Sequence, residues 1–253
     1  MNTVMMRNLE IGAGRPKVIV PIVAASAEDI VAKAESFQGI PLDVVEWRVD
    51  FYEDVFQTEK VLETLTRLRA ALGETPLLFT FRTKKEGGEK EIDMEAYTAL
   101  NKAAAESGNV DAVDVEIFSG DDVVRENLKN IHSAGKIAVG SNHDFDKTPD
   151  CDDLIYRLRK MQDMGADIPK IAVMPRNHKD VLTLLSATEA MSSTYADRPI
   201  ITMSMSAAGV ISRLCGEVFG SAMTFGMVGQ ASAPGQIPVE QLNKVTEIIH
   251  SAL

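Results

Sequence analysis

Eight short, β-rich stretches alternate along the chain with longer amphipathic segments: 17–23, 44–50, 76–82, 112–118, 136–141, 169–174, 199–205 and 222–228. Each is rich in Val, Ile, Phe or Thr and bounded by Pro, Gly or Asp, the composition of a β-strand between turns. The intervening segments are longer and place apolar residues at helical spacing. Their starts carry Ser26, Thr58, Asp93, Asp121–Asp122, Asp152–Asp153 and Asn177, whose side chains can accept from the free N–H groups of a first helical turn. Gly135 and Gly165 stand where two of these helices stop. Two more helices are predicted over GVISRLCGEVFG and, after Pro238, over VEQLNKVTEIIHSAL.

Strict alternation of eight strands with eight helices implies a parallel sheet, and within 253 residues it predicts a closed (β/α)8 TIM barrel of the α/β class. The alternative, an open doubly wound sheet, calls for a glycine-rich phosphate turn after the first strand, where the chain reads VPIVAASAED. No linker or low-complexity stretch interrupts the pattern. Residues 1–253 therefore read as a single domain, with residues 1–16 capping the bottom of the barrel.

Strand alternation also assigns faces. Val45, Trp47 and Val49 oppose Glu46, Arg48 and Asp50, while Leu77, Phe79 and Phe81 oppose Leu78, Thr80 and Arg82. Val113, Val115 and Ile117 oppose Asp114 and Glu116, and Ile171 and Val173 oppose Lys170, Ala172 and Met174. The apolar sets belong against the helices, which turns Glu46, Arg48, Arg82, Asp114, Glu116 and Lys170 into the barrel. A buried charge is costly unless it is paired. These side chains must pair with one another, line a wet pocket at the C-terminal ends of the strands, or both.

Composition narrows the partners. With 26 Lys and Arg against 37 Asp and Glu, the formal charge is −11. Such a surface repels phosphate backbones and anionic lipid, which argues against nucleic-acid and membrane partners. Cys151 and Cys215 form no CxxC pair, the N-terminal residues lack a signal-peptide pattern, and no apolar run approaches the ~20 residues of a membrane span. The expectation is a cytoplasmic protein with two free thiols. A few arginines in a pocket can still bind one small anion.

Lys170 alternates with apolar residues inside a strand and has no short route to solvent. Desolvation and a nearby Arg48 or Arg82 would disfavour its ammonium form, and an uncharged amine in a pocket is a nucleophile toward carbonyls. The competing reading is a lysine paired with Glu116 or Glu46. His143, in SNHDF, is the histidine at a strand end and suits proton transfer beside an imine. His132, His178 and His250 fall on helices or near the chain end and read as surface residues. Asp144 and Asp146 beside His143 raise metal ligation, but no second histidine stands at ligand spacing, so no metal is expected. Glu86, in the loop KKEGGEK, reads either as a solvated carboxylate or as a group that fixes an imidazole's tautomer. Arg213, early in a helix over the barrel mouth, suits a carboxylate or phosphate. The light loop GQASAPGQIP after the eighth strand suits a lid.

These residues lie in longer motifs: EWRVD, LLFTFRTKKEGGE, SNHDF, GADIPKIAVMP, ITMSM, SRLCGEVFGSAMTFG and QASAPGQI. In this order, and over essentially the whole chain, the motifs resemble type I 3-dehydroquinate dehydratase in its enterobacterial form. The resemblance implies a lyase that converts 3-dehydroquinate to 3-dehydroshikimate in the shikimate pathway. It makes Lys170 the imine-forming lysine, His143 the general acid and base, and Glu86 the group that orients His143. Arg213 and Gln236 would hold the substrate carboxylate, with Ser232 and Ala233 as lid contacts. Glu46, Arg48 and Arg82 would meet ring hydroxyls, and Met203, Met205 and Phe225 would pack on the carbocycle. A homodimer without metal or organic cofactor is implied as well. Arg48, Arg82, Lys170 and Arg213 would then form a local cationic pocket.

Two departures from the family pattern stand out. Ser206-Ala207-Ala208 replaces a more polar, often lysine-containing stretch, and Pro21 stands where some members have serine. Two other functions compete with the dehydratase. Another Schiff-base barrel enzyme, such as a class I aldolase, would want a glycine-rich phosphate cup near the last strands, for which SAPGQ is poor. A non-catalytic sensor on the same barrel need not keep Lys170, His143 and Glu86 together.

Overall fold

The computed structural model describes residues 2–229 and 231–253. Its centre is built from β1 (Lys17–Ile22), β2 (Val44–Arg48), β3 (Leu77–Thr80), β4 (Ala112–Glu116), β5 (Ile137–Asp144), β6 (Ile168–Val173), β7 (Ile201–Ser204) and β8 (Met223–Met227). Each strand pairs in parallel with the next from β1 to β7, and β8 pairs back onto β1. The seam between β7 and β8 is closed by less regular means. Ile200 bridges Ser221, the Ala222 N–H donates to the Ile200 carbonyl at 2.8 Å, and the Ser221 hydroxyl accepts from the Thr202 N–H at 3.0 Å. The result is the expected TIM barrel.

Around it lie α1 (Ala27–Glu35), α2 (Thr58–Leu72), α3 (Met94–Glu106), α4 (Asp121–Ser133), α5 (Cys151–Asp163), α6 (His178–Ala190), α7 (Val210–Leu214), α8 (Gly216–Phe219) and α9 (Val239–His250). Ser26, Asp93 and Asn177 cap their helices as predicted, each accepting from a backbone N–H of the first turn. Asp150, rather than Asp152 or Asp153, caps α5, while α2 follows Gln57 without a side-chain cap. The helix predicted over GVISRLCGEVFG is two, broken at Cys215. There the Thr224 hydroxyl takes the Arg213 carbonyl at 2.9 Å, a group that a continuing helix would have used. No described helix is long and apolar enough to cross a membrane.

The N-terminal segment contains an antiparallel hairpin, Val4–Met6 with Leu9–Ile11, that the sequence pattern does not announce. Strands of three residues are too short to display alternation. Met6 and Ile11 are buried against Ile19, Val44 and Ile168 at the bottom of the barrel. Arg7, in the turn, pairs with Glu74 at 2.9 Å and Asp111 at 3.1 Å, residues that precede β3 and β4.

The assignment of faces holds strand by strand. Val45, Trp47, Phe79, Val113, Val115, Ile171 and Val173 sit in the outer core with the helices. Inward residues change character along each strand. Val44, Leu78, Ala112, Val139, Ile168, Ile201 and Met223 fill the lower barrel with apolar volume. The next inward residues on β2, β4 and β6 are Glu46, Asp114 and Lys170, all buried. Burying an aliphatic side chain contributes about 1.5–3 kcal/mol, so the lower layers and outer core stabilise the barrel and leave its upper layers free to hold charge.

Candidate active site

A cavity of about 250 Å³ opens at the C-terminal end of the barrel. Lys170, His143, Glu86, Glu46, Arg48, Arg82, Met203, Met205, Arg213, Phe225, Ser232, Ala233 and Gln236 all line it. Gly87, Phe145, Ala172 and Pro234 line it too, none of them among the predicted site residues. Gln230, the first residue of the QASAPGQI motif, lies outside the described residues. The remaining histidines are exposed: His132 meets Asp167, and His250 meets Glu217.

Lys170 is only 3% exposed. Its Nζ lies 3.1 Å from Asp114 Oδ2, 4.0 Å from Glu46 Oε1 and 5.0 Å from the centre of the Phe225 ring. The expected carboxylate partners were Glu116 or Glu46, and the close one is instead Asp114. Strand register explains this. Asp114 pairs with Val139 and Val139 with Ile168, while an eight-stranded barrel of shear 8 staggers by about one residue per strand. Two strands on, the level of Asp114 is therefore that of Lys170. Glu46 pairs with Leu78 and Leu78 with Ala112, so the same stagger brings Glu46 level with Asp114. Side chains from alternate strands share a layer in such barrels, and Glu46, Asp114 and Lys170 come from β2, β4 and β6. Glu116, one inward position higher, turns to Arg82 and Thr83.

The short turn Lys84–Glu86 after β3 brings Glu86 to His143. Glu86 Oε2 lies 3.0 Å from His143 Nδ1 and accepts the His143 backbone N–H at 2.9 Å, while Oε1 accepts from Asn142 Nδ2 at 3.1 Å. Glu86 is thus buried and paired rather than solvated. These bonds fix the ring and leave Nε2 for the cavity. Burial, with the Arg82, Lys170 and Arg48 charges, holds the imidazole well below its usual range. Burial, with the charge of Glu116, pushes the Glu86 carboxyl up to about 8, against the opposing pull of Arg82 and Asn142. Burial thus disfavours the charged form of each partner.

The expected four-cation pocket is corrected by the pairing. Arg48 makes a two-point contact with Asp50, both bonds at 2.8 Å. Arg82 donates to Asp114, Glu116 and Ser141 at 2.8–3.0 Å. With Lys170 on Asp114, three of the four cations are already matched by carboxylates. Arg213 differs. It is buried, its Nε has no partner, and its terminal nitrogens reach the Pro234 carbonyl at 3.1 Å and Met203 Sδ at 3.7 Å. Burial alone lowers it to about 10. Among the described residues no carboxylate pairs with it, so it is the cation of the cavity ready for an anion.

The sequence model of the type I 3-dehydroquinase family matches residues 18–252. The chain belongs to that family. It is 52% identical over 250 residues to a 3-dehydroquinate dehydratase of Clostridioides difficile, spanning 99% of this chain and 98% of the relative. It is 54% identical over 252 residues to the Escherichia coli O7:K1 enzyme of the same name, spanning 100% of both. A crystal structure of type I 3-dehydroquinate dehydratase from Clostridium difficile, with covalently modified comenic acid, superposes with a TM-score of 0.97 at 51% identity, covering 100% of this chain and 99% of that one. Membership removes the aldolase and sensor readings.

In this type I 3-dehydroquinase the lid-like loop is seated on the departing segment. The Ser206 N–H donates to the Pro234 carbonyl at 3.2 Å, and Gln236 and Ser232 hold each other at 2.9 and 3.0 Å. Pro21, on β1, pairs in register with Glu46. Gly87, the residue after Glu86, has φ +84, and a Cβ there would sit 2.3 Å from the Phe145 ring. That contact packs the loop of Glu86 against the strand end that carries His143. Gly87→Ala is expected to lower kcat by about tenfold to a hundredfold, the cost of a misplacement near 1 Å, with KM little changed. Steady-state rates equal to the wild type would show that the contact has no bearing on the pair.

Proposed function

We propose that the chain dehydrates 3-dehydroquinate to 3-dehydroshikimate, a step of the shikimate pathway, through an imine on Lys170 with His143 as acid and base. The observation that carries this reading is a buried lysine sharing one cavity with a Glu86-held histidine and an unmatched arginine. The Lys170 ammonium gives up a proton and its amine adds to the C3 carbonyl; that proton and a second one from the nitrogen pass to the carbonyl oxygen, which leaves as water to give a protonated imine. That cation withdraws electrons from C2. His143 Nε2 takes the C2 proton, and the C–H electron pair forms an enamine with the nitrogen neutralised. The enamine pair then expels the C1 hydroxyl, which the protonated His143 converts to water. Hydrolysis of the resulting iminium returns the amine and releases the enone.

Arg213 is assigned the substrate carboxylate, since binding an anion supplies the counter-charge its burial withholds. Gln236, Ser232 and Ala233 close the mouth beside it. Glu46, Arg48 and Arg82 present polar edges to the ring hydroxyls, and Met203, Met205 and Phe225 the apolar wall. The reading also takes residues 1–253 as one domain with residues 1–16 as a cap, supported by Met6 and Ile11 in the barrel floor. A cytoplasmic homodimer completes it. The unpaired Cys151 and Cys215 agree with a reducing compartment, and light scattering checks the dimer.

Borohydride added during turnover of 3-dehydroquinate should arrest the enzyme and leave a reduced adduct on the peptide containing Lys170. An unmodified, fully active protein after that treatment would reject the imine.

A further inference from the structure

Asp114 takes no part in the reaction as written, does not line the cavity, and is 0% exposed. Its Oδ1 accepts from Arg82 at 2.8 Å and from the Ser141 hydroxyl at 2.6 Å, and its Oδ2 faces Lys170 Nζ at 3.1 Å. With these three donors both oxygens are engaged, and the carboxylate has nowhere else to turn. It therefore meets the reacting nitrogen without itself lining the cavity.

We propose that Asp114 is the counter-ion of the protonated Lys170 imine, keeping the nitrogen in the charged, electron-withdrawing form on which C2 proton loss and water expulsion depend. This rests on the imine reading above. The charge count around the nitrogen supports it. Arg82 arrives from beyond β3, Glu46 from β2, Glu116 from β4 itself and His143 from β5, while Tyr97 of α3 donates to the Asp114 carbonyl at 3.3 Å. Arg82 already serves Asp114 and Glu116. A neutral imine would leave Glu46 without the cation that lies 4.0 Å from it, and Asp114 and Glu116 sharing an Arg82 guanidinium that Glu86 also approaches at 3.7 Å, whereas a protonated imine replaces the charge that Lys170 contributes to the layer. Burial makes this difference large, because water cannot substitute for the missing cation. Asp114 itself is held below the usual carboxylate range despite its burial, by Arg82, Lys170 and Ser141. The Arg82 and Ser141 bonds to Oδ1 do not depend on the form the nitrogen takes.

The test measures kcat against pH for the wild type, Asp114→Asn and Asp114→Glu, with borohydride trapping run on each. In Asp114→Asn the imine loses its proton more readily. Its kcat at neutral pH should fall about a hundredfold, as for removal of one preorganised electrostatic partner, and the alkaline limb of the profile should move down by at least about one pH unit, a tenfold change in the proton equilibrium. Asp114→Glu keeps the charge but carries it on a longer arm. It should turn over about tenfold more slowly with its alkaline limb where the wild type has it. An unmoved limb in Asp114→Asn, or equal displacement in both variants, overturns the counter-ion. If Asp114→Asn does not fold, Asp114→Glu decides: wild-type kcat, or a displaced limb, overturns it. Absence of a trapped adduct in the wild type would instead defeat the imine, so the two failures are separable.

Discussion

Lys170→Met is expected to lower kcat by on the order of 10⁵-fold or more, the scale seen when a covalent nucleophile is removed from a catalytic group acting as a unit. Methionine fills a similar volume but offers no nitrogen for the C3 carbonyl. Without the imine nothing withdraws electrons from C2, and His143 faces a proton that it cannot remove. Binding should change much less, because Arg213 and the Met203–Phe225 wall are untouched. Asp114 keeps Arg82 and Ser141 after the substitution, so the protein should remain folded at a cost below the ~3–5 kcal/mol of a buried charge left wholly unpaired. Single-turnover assays together with calorimetric titration of substrate check both halves. Turnover within tenfold of the wild type would remove Lys170 from the chemistry.

His143→Ala is expected to reduce kcat by about 10²–10⁴-fold, the range for a positioned acid or base. The variant should still accumulate a borohydride-reducible adduct on Lys170, because proton removal follows imine formation. The pH profile supplies an independent reading. A base must be neutral to act, so activity is lost as pH falls through its pKa. His143 is held below its ordinary value of 6.5 by burial and by Arg82, Lys170 and Arg48. The acid limb of kcat/KM in the wild type should therefore lie below pH 6.5, and the limb should disappear in His143→Ala. A wild-type limb at or above that value would mean that the imidazole is not so buried, and normal turnover in the variant would exclude His143 as the base.

Much of the site was legible because strand alternation is a local property. Side chains two residues apart share a face whatever the rest of the fold does, so Glu46, Arg48, Asp114, Glu116 and Lys170 could be turned inward from the pattern alone. Other features resisted for equally physical reasons. The hairpin at Val4–Ile11 is shorter than the pattern needed to detect it. Gly87 and Phe145 meet only because a loop and a strand end 58 residues apart fold onto one another, and neither residue type signals chemistry by itself. Glu86 read as readily as a solvated loop residue, since its partner His143 lies 57 residues away.

The amino-acid pattern settled the architecture and the contents of the barrel mouth: eight βα units, apolar residues below, charges above, and motifs that mark the family. Which charge meets which was decided by tertiary structure. Lys170 takes Asp114 instead of Glu116, Arg82 ties two carboxylates together, and Arg213 alone among the four predicted cations is left without a carboxylate. The period of two says only which way a side chain points. Pairing depends on the register and stagger of strands separated by tens of residues, and neglecting the two-residue stagger accumulated from β4 to β6 exchanges Asp114 for Glu116. The excess of acidic residues that argues against anionic partners is a property of the whole chain; a buried Arg213 that no carboxylate pairs among the described residues is a property of the closed barrel.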